Sequence, residues 1–310
     1  MFSVVDTKEP DMPVREQVSF PGGAAKLTGT LFLPESARAD DTPSVPGVLV
    51  AGTWTSVKEQ MADRYAEQLA QRGYAALSFD FTGYGESDGE PRDYESPELK
   101  IGDLRAAADF LGTHPTIDAG SLGALGICAG AMYVSAFAAQ DARVRALALV
   151  APWLHDRRIC EENYGGPQGI EAKKAAAHRA RREYQQTGVV TYVPAVSGSD
   201  PDAAIPFDAD FYLDPERGGI PQWPNRFAVM AWPGWLDFDA IAIAPQLTAP
   251  VLLVHSEDAA IPDGARRFHD ALAGPAEFLW TEGSQFDFYD QPTHVGFAVD
   301  AAAEHFARTL

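Results

Sequence analysis

A cysteine lies between two glycines in the segment Gly126-Ile127-Cys128-Ala129-Gly130. This spacing is that of the G-x-S-x-G motif, a sharp strand-to-helix turn that presents a nucleophilic serine, with cysteine in the serine position. The glycines fit such a turn because its backbone is strained and side chains on either flank would collide with the neighbouring strand and helix. A thiol ionises more readily than an alcohol, and the positive end of the following helix favours the thiolate. The pattern predicts a nucleophilic Cys128 with a lowered pKa; the alternative is a small, buried and inert cysteine.

The elements around this turn alternate between strand and helix patterns. The sequence predicts strands at residues 14–20, 26–33, 47–51, 75–79, 122–127, 144–150, 251–255 and 276–281, and helices at residues 57–72, 98–111, 129–139, 265–273 and 294–308. The first two strands are expected to pair antiparallel. The remaining strands alternate with helices along the sequence, which is typical of a parallel sheet covered by helices on both faces. We therefore predict an α/β fold.

Residues 152–249 interrupt this alternation. They contain one clear helix pattern, at residues 171–186, and otherwise loops rich in Trp, Tyr, Phe and Pro. The stretch is too long for a plain connection, which favours a cap inserted over the carboxyl edge of the sheet. We predict a core in two parts, residues 1–151 and 250–310, with the cap at 152–249; a packed structural excursion is the alternative.

Charge and composition exclude several classes of function. The formal net charge is −20 over 310 residues, which repels phosphate backbones and anionic lipids, so neither nucleic-acid nor membrane binding is expected. The first residues lack the pattern of a secretion signal, and two cysteines give no disulfide framework, so we place the protein in the cytoplasm. The histidines have no metal-ligand spacing, and we predict no metal and no cofactor. The oligomeric state stays open, with a homodimer as one alternative.

Three further segments resemble the α/β-hydrolase superfamily. Residues 52–55, Gly-Thr-Trp-Thr, follow the third strand, where the superfamily has its oxyanion loop. Residues 79–89 resemble its D-x-x-G-x-G-x-S segment, in which Asp80 and Glu86 are expected to organise a turn. Residues 255–262 resemble the segment that supplies its acid, with Asp258 four residues before a proline. The resemblance covers residues 15–150 and 245–310, implies the α/β-hydrolase fold, and in its cysteine is similar to dienelactone hydrolase.

The resemblance also implies roles for individual residues. Backbone N–H groups of Ala129 and of Thr53 or Trp54 would hold the oxyanion. Gln285, in the segment that follows the last strand, stands where the superfamily has its catalytic histidine. A glutamine amide can orient a neighbour but cannot carry a proton, so the usual general base is missing. Asp258 would orient whatever occupies the base position, with Gln285 hydrogen-bonded nearby.

Three interpretations of the missing histidine stay open. In the first, another histidine is the base: either His155, beside Asp156 at the carboxyl edge of the sheet, or His255, with His294 expected outside the pocket. In the second, a preformed thiolate attacks alone, which restricts substrates to thioesters, enol esters and strained lactones. In the third, the site has lost hydrolysis and runs lyase, transferase or cyclase chemistry, or only binds a small molecule.

The predicted cap supplies many aromatic side chains, among them Trp153. Those that face inward would favour a hydrophobic or aromatic acyl group over an anionic one, and Trp153 is expected to contact the substrate. We therefore predict a hydrolase that acts on an activated ester, lactone or thioester of a hydrophobic small molecule through a Cys128 acyl-enzyme. The alternatives are an acyltransferase, lyase or cyclase of secondary metabolism, or a non-catalytic binder on the same scaffold.

Overall fold

Residues 12–38 and 44–310 are described by the computed structural model of the chain. The strands are β1 Val14–Pro21, β2 Lys26–Leu33, β3 Val45–Ala51, β4 Ala75–Phe79, β5 Ile117–Ile127, β6 Val144–Val150, β7 Tyr192–Pro194, β8 Arg226–Ala228, β9 Val251–Ser256 and β10 Ala276–Thr281. The α-helices are α1 Ala62–Ala70, α2 Pro97–Thr113, α3 Gly130–Ala138, α4 Arg157–Asn163, α5 Gly166–Thr187, α6 Asp210–Leu213, α7 Trp232–Leu236, α8 Pro262–Ala271, α9 Asp287–Asp290 and α10 Pro292–Thr309. Short 3₁₀ turns occur at Glu35–Arg38, Val229–Ala231 and Ile241–Gln246.

Eight strands form one sheet in the order β1-β2-β4-β3-β5-β6-β9-β10. The pairs β1/β2 and β2/β4 are antiparallel, and every later pair is parallel. The central strands are almost wholly buried because helices cover both faces: α1 and α10 contact each other on one side, and α2 and α3 contact each other on the other. This architecture confirms the predicted α/β fold and brings the carboxyl ends of β3, β5, β6 and β9 to one edge.

The first helix differs from its prediction. It begins at Ala62 rather than at residue 57, because the preceding residues form a turn whose backbone is held by side chains. Gln60 Oε1 accepts the backbone N–H of Val57 at 3.1 Å, and Asp80 Oδ1 accepts that of Lys58 at 2.9 Å. Side chains that bond neighbouring backbone groups compete with helical hydrogen bonds, and the turn results.

The 152–249 segment contains α4 to α7 and a small antiparallel pair of strands, β7 and β8. Its longest helix, α5, packs on α4, on α7 and on the 3₁₀ turn before α7. The aromatic rings of Phe227, Trp232 and Trp235 from this segment surround the ring of Trp54 at centroid distances of 4.8 to 5.9 Å. The segment is therefore packed directly on the loop that follows β3. None of the helices in the described ranges combines the length and the apolar character that a bilayer crossing requires.

Candidate active site

The turn between β5 and α3 holds Cys128 in a left-handed backbone conformation, with φ of +54°. A Cβ at Gly126 would lie 2.6 Å from the backbone of Ala131, and one at Gly130 would lie 2.3 Å from the carbonyl oxygen of Ala51. Both glycines are thus required by close backbone contacts, as the sequence predicts. The Cys128 backbone is fixed as well, because its N–H donates to the carbonyl of Val150 at 3.0 Å. A non-glycine residue is held in this conformation only where its surroundings over-determine it.

Four hydrogen-bonding groups converge on the Cys128 thiol. They are the hydroxyls of Thr53 and Tyr289, the side-chain amide of Gln285 and the backbone N–H of Ala129. The two hydroxyls are 3.4 Å apart, and the Gln285 amide donates to the Tyr289 hydroxyl at 3.2 Å. The thiol therefore lies in a ring of polar groups, none of which is a histidine or a carboxylate.

Burial raises the pKa of the Cys128 thiol above its ordinary value, and the hydrogen bonds only partly oppose this effect. The prediction of a lowered pKa is therefore wrong in direction: the thiol is 7% exposed, and removing a thiolate from water outweighs the donors around it. The pKa of Tyr289 is also raised well above its ordinary value, first by burial and then by the neighbouring thiol, so its hydroxyl stays protonated.

The loop after β3 brings Thr53 and Trp54 to the same edge of the sheet. Both residues are buried and both line the cavity next to Cys128. Among the hydrogen bonds that the structure describes, none is donated by the backbone N–H of either residue. The backbone N–H of Ala129 lies at the Cys128 thiol.

Gln285 lies next to the Cys128 thiol, between β10 and α9. Its Oε1 accepts the backbone N–H of Ala260 at 2.9 Å, and its Nε2 donates to the carbonyl of Ala151 at 2.9 Å. Asp258 also lines the cavity, but its side chain is exposed, and within the described ranges nothing forms a hydrogen bond or an ion pair with it. The side chain of Gln285 is thus oriented by backbone groups rather than by Asp258.

His155 is not brought to Cys128. It is fully buried, does not line the cavity, and uses both ring nitrogens elsewhere: Nδ1 accepts the indole N–H of Trp153 at 2.8 Å, and Nε2 donates to the carbonyl of Trp235 at 3.0 Å. Burial lowers the pKa of His155 to about 4, so the ring is neutral at pH 7. The expected base role is corrected: His155 orients Trp153, which does line the cavity.

The two other candidate histidines lie outside the cavity as well. His255 is buried, its Nδ1 accepts the backbone N–H of Ser256 at 2.8 Å, and its ring stacks on Trp280. Burial lowers the pKa of His255 to about 4. His294 lies within α10, close to Gly283. Neither ring borders the space in front of the thiol.

A cavity of about 420 Å³ opens in front of Cys128. Its walls come from the loop after β3, from the 152–249 segment and from the loops after β9 and β10. Asp258 is its one charged lining residue within the described ranges, and most of its surface is apolar. The aromatic lining residues are Trp54, Trp153, Tyr164, Phe207, Tyr212, Trp235, Phe286 and Tyr289. Such a cavity can enclose an apolar group of small-molecule size next to the thiol.

Sequence reasoning did not identify Tyr289 or the hydroxyl of Thr53. Tyr289 lies four residues after Gln285 and forms part of the short helix α9, so both side chains point to the thiol. The four-residue spacing between Gln285 and Tyr289 in the segment Gly283-Ser-Gln-Phe-Asp-Phe-Tyr289 is the sequence feature that could have predicted this arrangement.

Three carboxylates outside this cavity, those of Glu59, Asp80 and Glu86, lie close enough together to suggest a cation site. The ammonium of Lys58 occupies the space between them, donating at 2.6, 2.9 and 2.6 Å respectively. Asp80 also accepts the backbone N–H of Glu86 at 2.9 Å and so organises the loop after β4.

The sequence matches known proteins across most of its length. The sequence model of the alpha/beta hydrolase family matches residues 48–298. The uncharacterised protein PA2218 of Pseudomonas aeruginosa is 29% identical over 284 residues, which cover 87% of this chain and 74% of that protein. The crystal structure of PA2218 superposes with a TM-score of 0.83 and covers all of both chains.

Several similar proteins have names that state an activity. Thiohydrolase aneE of Aspergillus aculeatus is 32% identical over 173 residues, covering 56% of this chain and 52% of that protein. Polyketide transferase claH of Penicillium crustosum is 25% identical over 279 residues, which cover 85% of this chain and 87% of that protein. A dienelactone hydrolase from Anabaena variabilis shares the fold at a TM-score of 0.57 and 16% identity, covering 96% of this chain and 99% of its own.

Proposed function

Because the chain belongs to the alpha/beta hydrolase family, we propose that it hydrolyses thioesters or similarly activated esters and lactones of hydrophobic acids through an acyl group on Cys128. One observation carries this proposal. The thiol faces a cavity with many aromatic residues and is surrounded by hydrogen-bond donors, none of which is a histidine or a carboxylate among the described residues. Thiol chemistry without a base suits good leaving groups, and a thiol is among the best of them.

The cavity lining indicates which acyl groups the site accepts. Aromatic walls gain stability by burying apolar surface, and the one charged residue among the described lining residues, Asp258, is an anion. A carboxylate or phosphate close to the reacting carbonyl would therefore meet no cation. A substrate with an uncharged aliphatic or aromatic acyl group fits this lining best.

The first step forms a bond between Cys128 Sγ and the acyl carbon and breaks the bond to the leaving sulfur. Backbone N–H groups of Ala129 and of Thr53 or Trp54 would stabilise the oxyanion. The thiol proton ends on the leaving thiolate, and the hydroxyl of Tyr289 can relay it by accepting one proton and releasing another. Since the proton that leaves Cys128 ends on the departing sulfur, the exchange consumes no net proton.

The second step transfers the acyl group from Cys128 to an acceptor, whose proton returns to the Cys128 sulfur. With water as acceptor the product is a free acid. Acyl transfer to another nucleophile is the second candidate function, and the histidine-free surroundings of the thiol favour it, since water is a weak nucleophile without a base. The name of the similar thiohydrolase agrees with the first outcome, and that of the similar polyketide transferase agrees with the second.

Acid quenching of the protein during turnover of an aromatic acyl thioester, followed by peptide mass mapping, tests the proposal. We expect the peptide that contains Cys128 to be heavier by the mass of the acyl group. The peptide that contains Cys160 should be unmodified and serves as the internal control. The ratio of free acid to acyl-acceptor product, measured with and without added alcohols and thiols, separates hydrolysis from transfer. A protein that consumes no thioester and carries no acyl group on Cys128 would refute the proposal and leave the non-catalytic binder.

A further inference from the structure

A buried carboxylate lies behind the loop that carries the proposed oxyanion donors. Glu95 immediately precedes Ser96, the residue that caps α2, and its side chain is fully buried. Its Oε1 accepts the hydroxyl of Tyr133 at 2.5 Å, and its Oε2 accepts that of Tyr84 at 2.8 Å. The ammonium of Lys100 lies 2.7 Å from Oε1 and 2.9 Å from Oε2. Three side chains from α2, α3 and the loop after β4 therefore fix this carboxylate in one orientation.

The remaining partner of Glu95 belongs to the oxyanion loop. The backbone N–H of Thr55 donates to Glu95 Oε2 at 3.0 Å. On the opposite side, the carbonyl of Thr55 accepts the indole N–H of Trp223, from the 152–249 segment, at 2.8 Å. Thr55 has a φ of +56°, a left-handed conformation that a β-branched residue rarely adopts. Both sides of this strained residue are thus held by buried side chains.

We propose that Glu95 is a positioning residue for the oxyanion loop. By holding Thr55 in its left-handed conformation, together with Trp223, it directs the backbone N–H groups of Thr53 and Trp54 toward a carbonyl group bound at Cys128. This inference rests on the proposed function, because it concerns the stabilisation of an oxyanion. Glu95 itself touches neither the thiol nor the cavity.

The chemistry of the four partners requires a carboxylate. All of them are donors, and they approach both oxygens of Glu95. A glutamine at this position would turn one amide N–H₂ toward groups that also donate, whichever way it rotates. The Glu95→Gln variant therefore keeps the size of the side chain but removes one of the two acceptor oxygens and the negative charge that hold it between Lys100 and Thr55.

Asp103 provides a matched control. It is a buried carboxylate on α2 that accepts the backbone N–H of Thr82 at 2.7 Å and its hydroxyl at 2.9 Å. Like Glu95 it holds a loop backbone, but none of its described hydrogen bonds involves residues 53–55. The Asp103→Asn variant is expected to lose similar stability without moving the oxyanion loop.

Two reactions of Cys128 separate positioning from general structural damage. Acylation by a thioester passes through an oxyanion, whereas alkylation by iodoacetamide displaces iodide and forms none. For Glu95→Gln we expect acylation to slow by about 10- to 100-fold, the effect of small misplacements in an active site, and alkylation to change by less than about 3-fold. For Asp103→Asn both rates should stay within about 3-fold of the unaltered protein.

A second variant covers the case in which Glu95→Gln does not fold. Trp223→Phe keeps an aromatic ring but removes the donor to the Thr55 carbonyl, and it should slow acylation by about 3- to 10-fold with alkylation unchanged. Equal losses in acylation and alkylation, or unaltered acylation in both folded variants, would overturn this inference and leave the proposed function in place. An unaltered protein that is not acylated on Cys128 would instead refute the proposed function, and with it this inference.

Discussion

Two buried thiols of this chain lie in contrasting surroundings. Cys128, 7% exposed, occupies the strained turn between β5 and α3 and receives four hydrogen-bonding groups. Cys160, 1% exposed, lies inside α4. Burial, together with the carboxylates of Asp156, Asp237 and Asp239, raises the pKa of Cys160 to about 12. Hydrogen-bond donors act on the first thiol, and negative charges act on the second.

Burial alone does not distinguish the two thiols. Burial raises the pKa of both cysteines, and the difference lies in what fixed groups face each sulfur. At Cys128 the groups are donors, which stabilise a thiolate when it forms. At Cys160 the nearest charges repel a thiolate, so this thiol should behave as a small hydrophobic side chain.

Removing each sulfur in turn is the strongest test of this contrast. Cys128→Ala should lower thioester turnover by about 10³-fold or more, because the acyl-enzyme can no longer form. Cys160→Ala should leave kcat/KM within about 3-fold, with a small loss of thermal stability from the cavity that it creates. Steady-state kinetics with thermal melting of both variants measures the two effects. Equal losses of activity in the two variants would remove the distinction between the cysteines.

Supplying the missing base should enlarge the difference between the two thiols. In Gln285→His an imidazole would stand beside the Cys128 thiol and could accept its proton, as general bases do. We expect hydrolysis of simple alkyl esters to rise by about 10- to 100-fold and the pH midpoint of Cys128 alkylation to fall, while Cys160 is unaffected. Gln285→Asn, which shortens the amide and adds no base, is the control. If ester hydrolysis falls in both variants, the amide itself has a role that imidazole cannot replace.

Removing one donor should make Cys128 more like Cys160. The Tyr289 hydroxyl stabilises the thiolate, so its loss in Tyr289→Phe raises a thiol pKa that burial has already raised. Alkylation by iodoacetamide requires the thiolate, and its pH profile should move upward by about one to two pH units, the value of one hydrogen bond to a charged group. At a fixed pH below the midpoint, labelling slows by about 10-fold or more. Phe288→Leu, a change at a buried neighbour that does not touch the thiol, is the control; an unmoved Tyr289→Phe profile would show that the hydroxyl does not bond the sulfur.

The predictability of this site depends on how far apart its parts lie in the sequence. The Cys128 turn was predictable because its requirements are local: Gly126 and Gly130 avoid contacts within a few residues of the motif or with the adjacent strand. Gln285 was predictable because strand order places the loop after the last strand next to that turn. The structure puts Gln285 beside the thiol in agreement with that expectation.

Other features depend on side-chain packing that no pattern encodes. The two bonds that occupy the His155 ring come from Trp153, two residues away, and from Trp235, eighty residues later. Nothing in the spacing indicates that both ring nitrogens are used. The direction of the Cys128 pKa was missed for a similar reason, since the helix terminus is visible in the sequence and the depth of burial is not.

The smallest expected effect concerns Asp258, which lines the cavity without a described partner. Because its carboxylate is exposed and solvent screens its charge, Asp258→Asn should change thioester kcat/KM by less than about 3-fold. The lost negative charge favours the Cys128 thiolate, so any shift of the alkylation midpoint should be small and downward. Asp263→Asn, at an exposed carboxylate that is not part of the cavity lining, gives the baseline for a surface charge. A loss of 100-fold or more at Asp258 alone would mean that it acts as the acid of a catalytic array during turnover, and the contrast between the cysteines would then depend on a charge as well as on fixed donors.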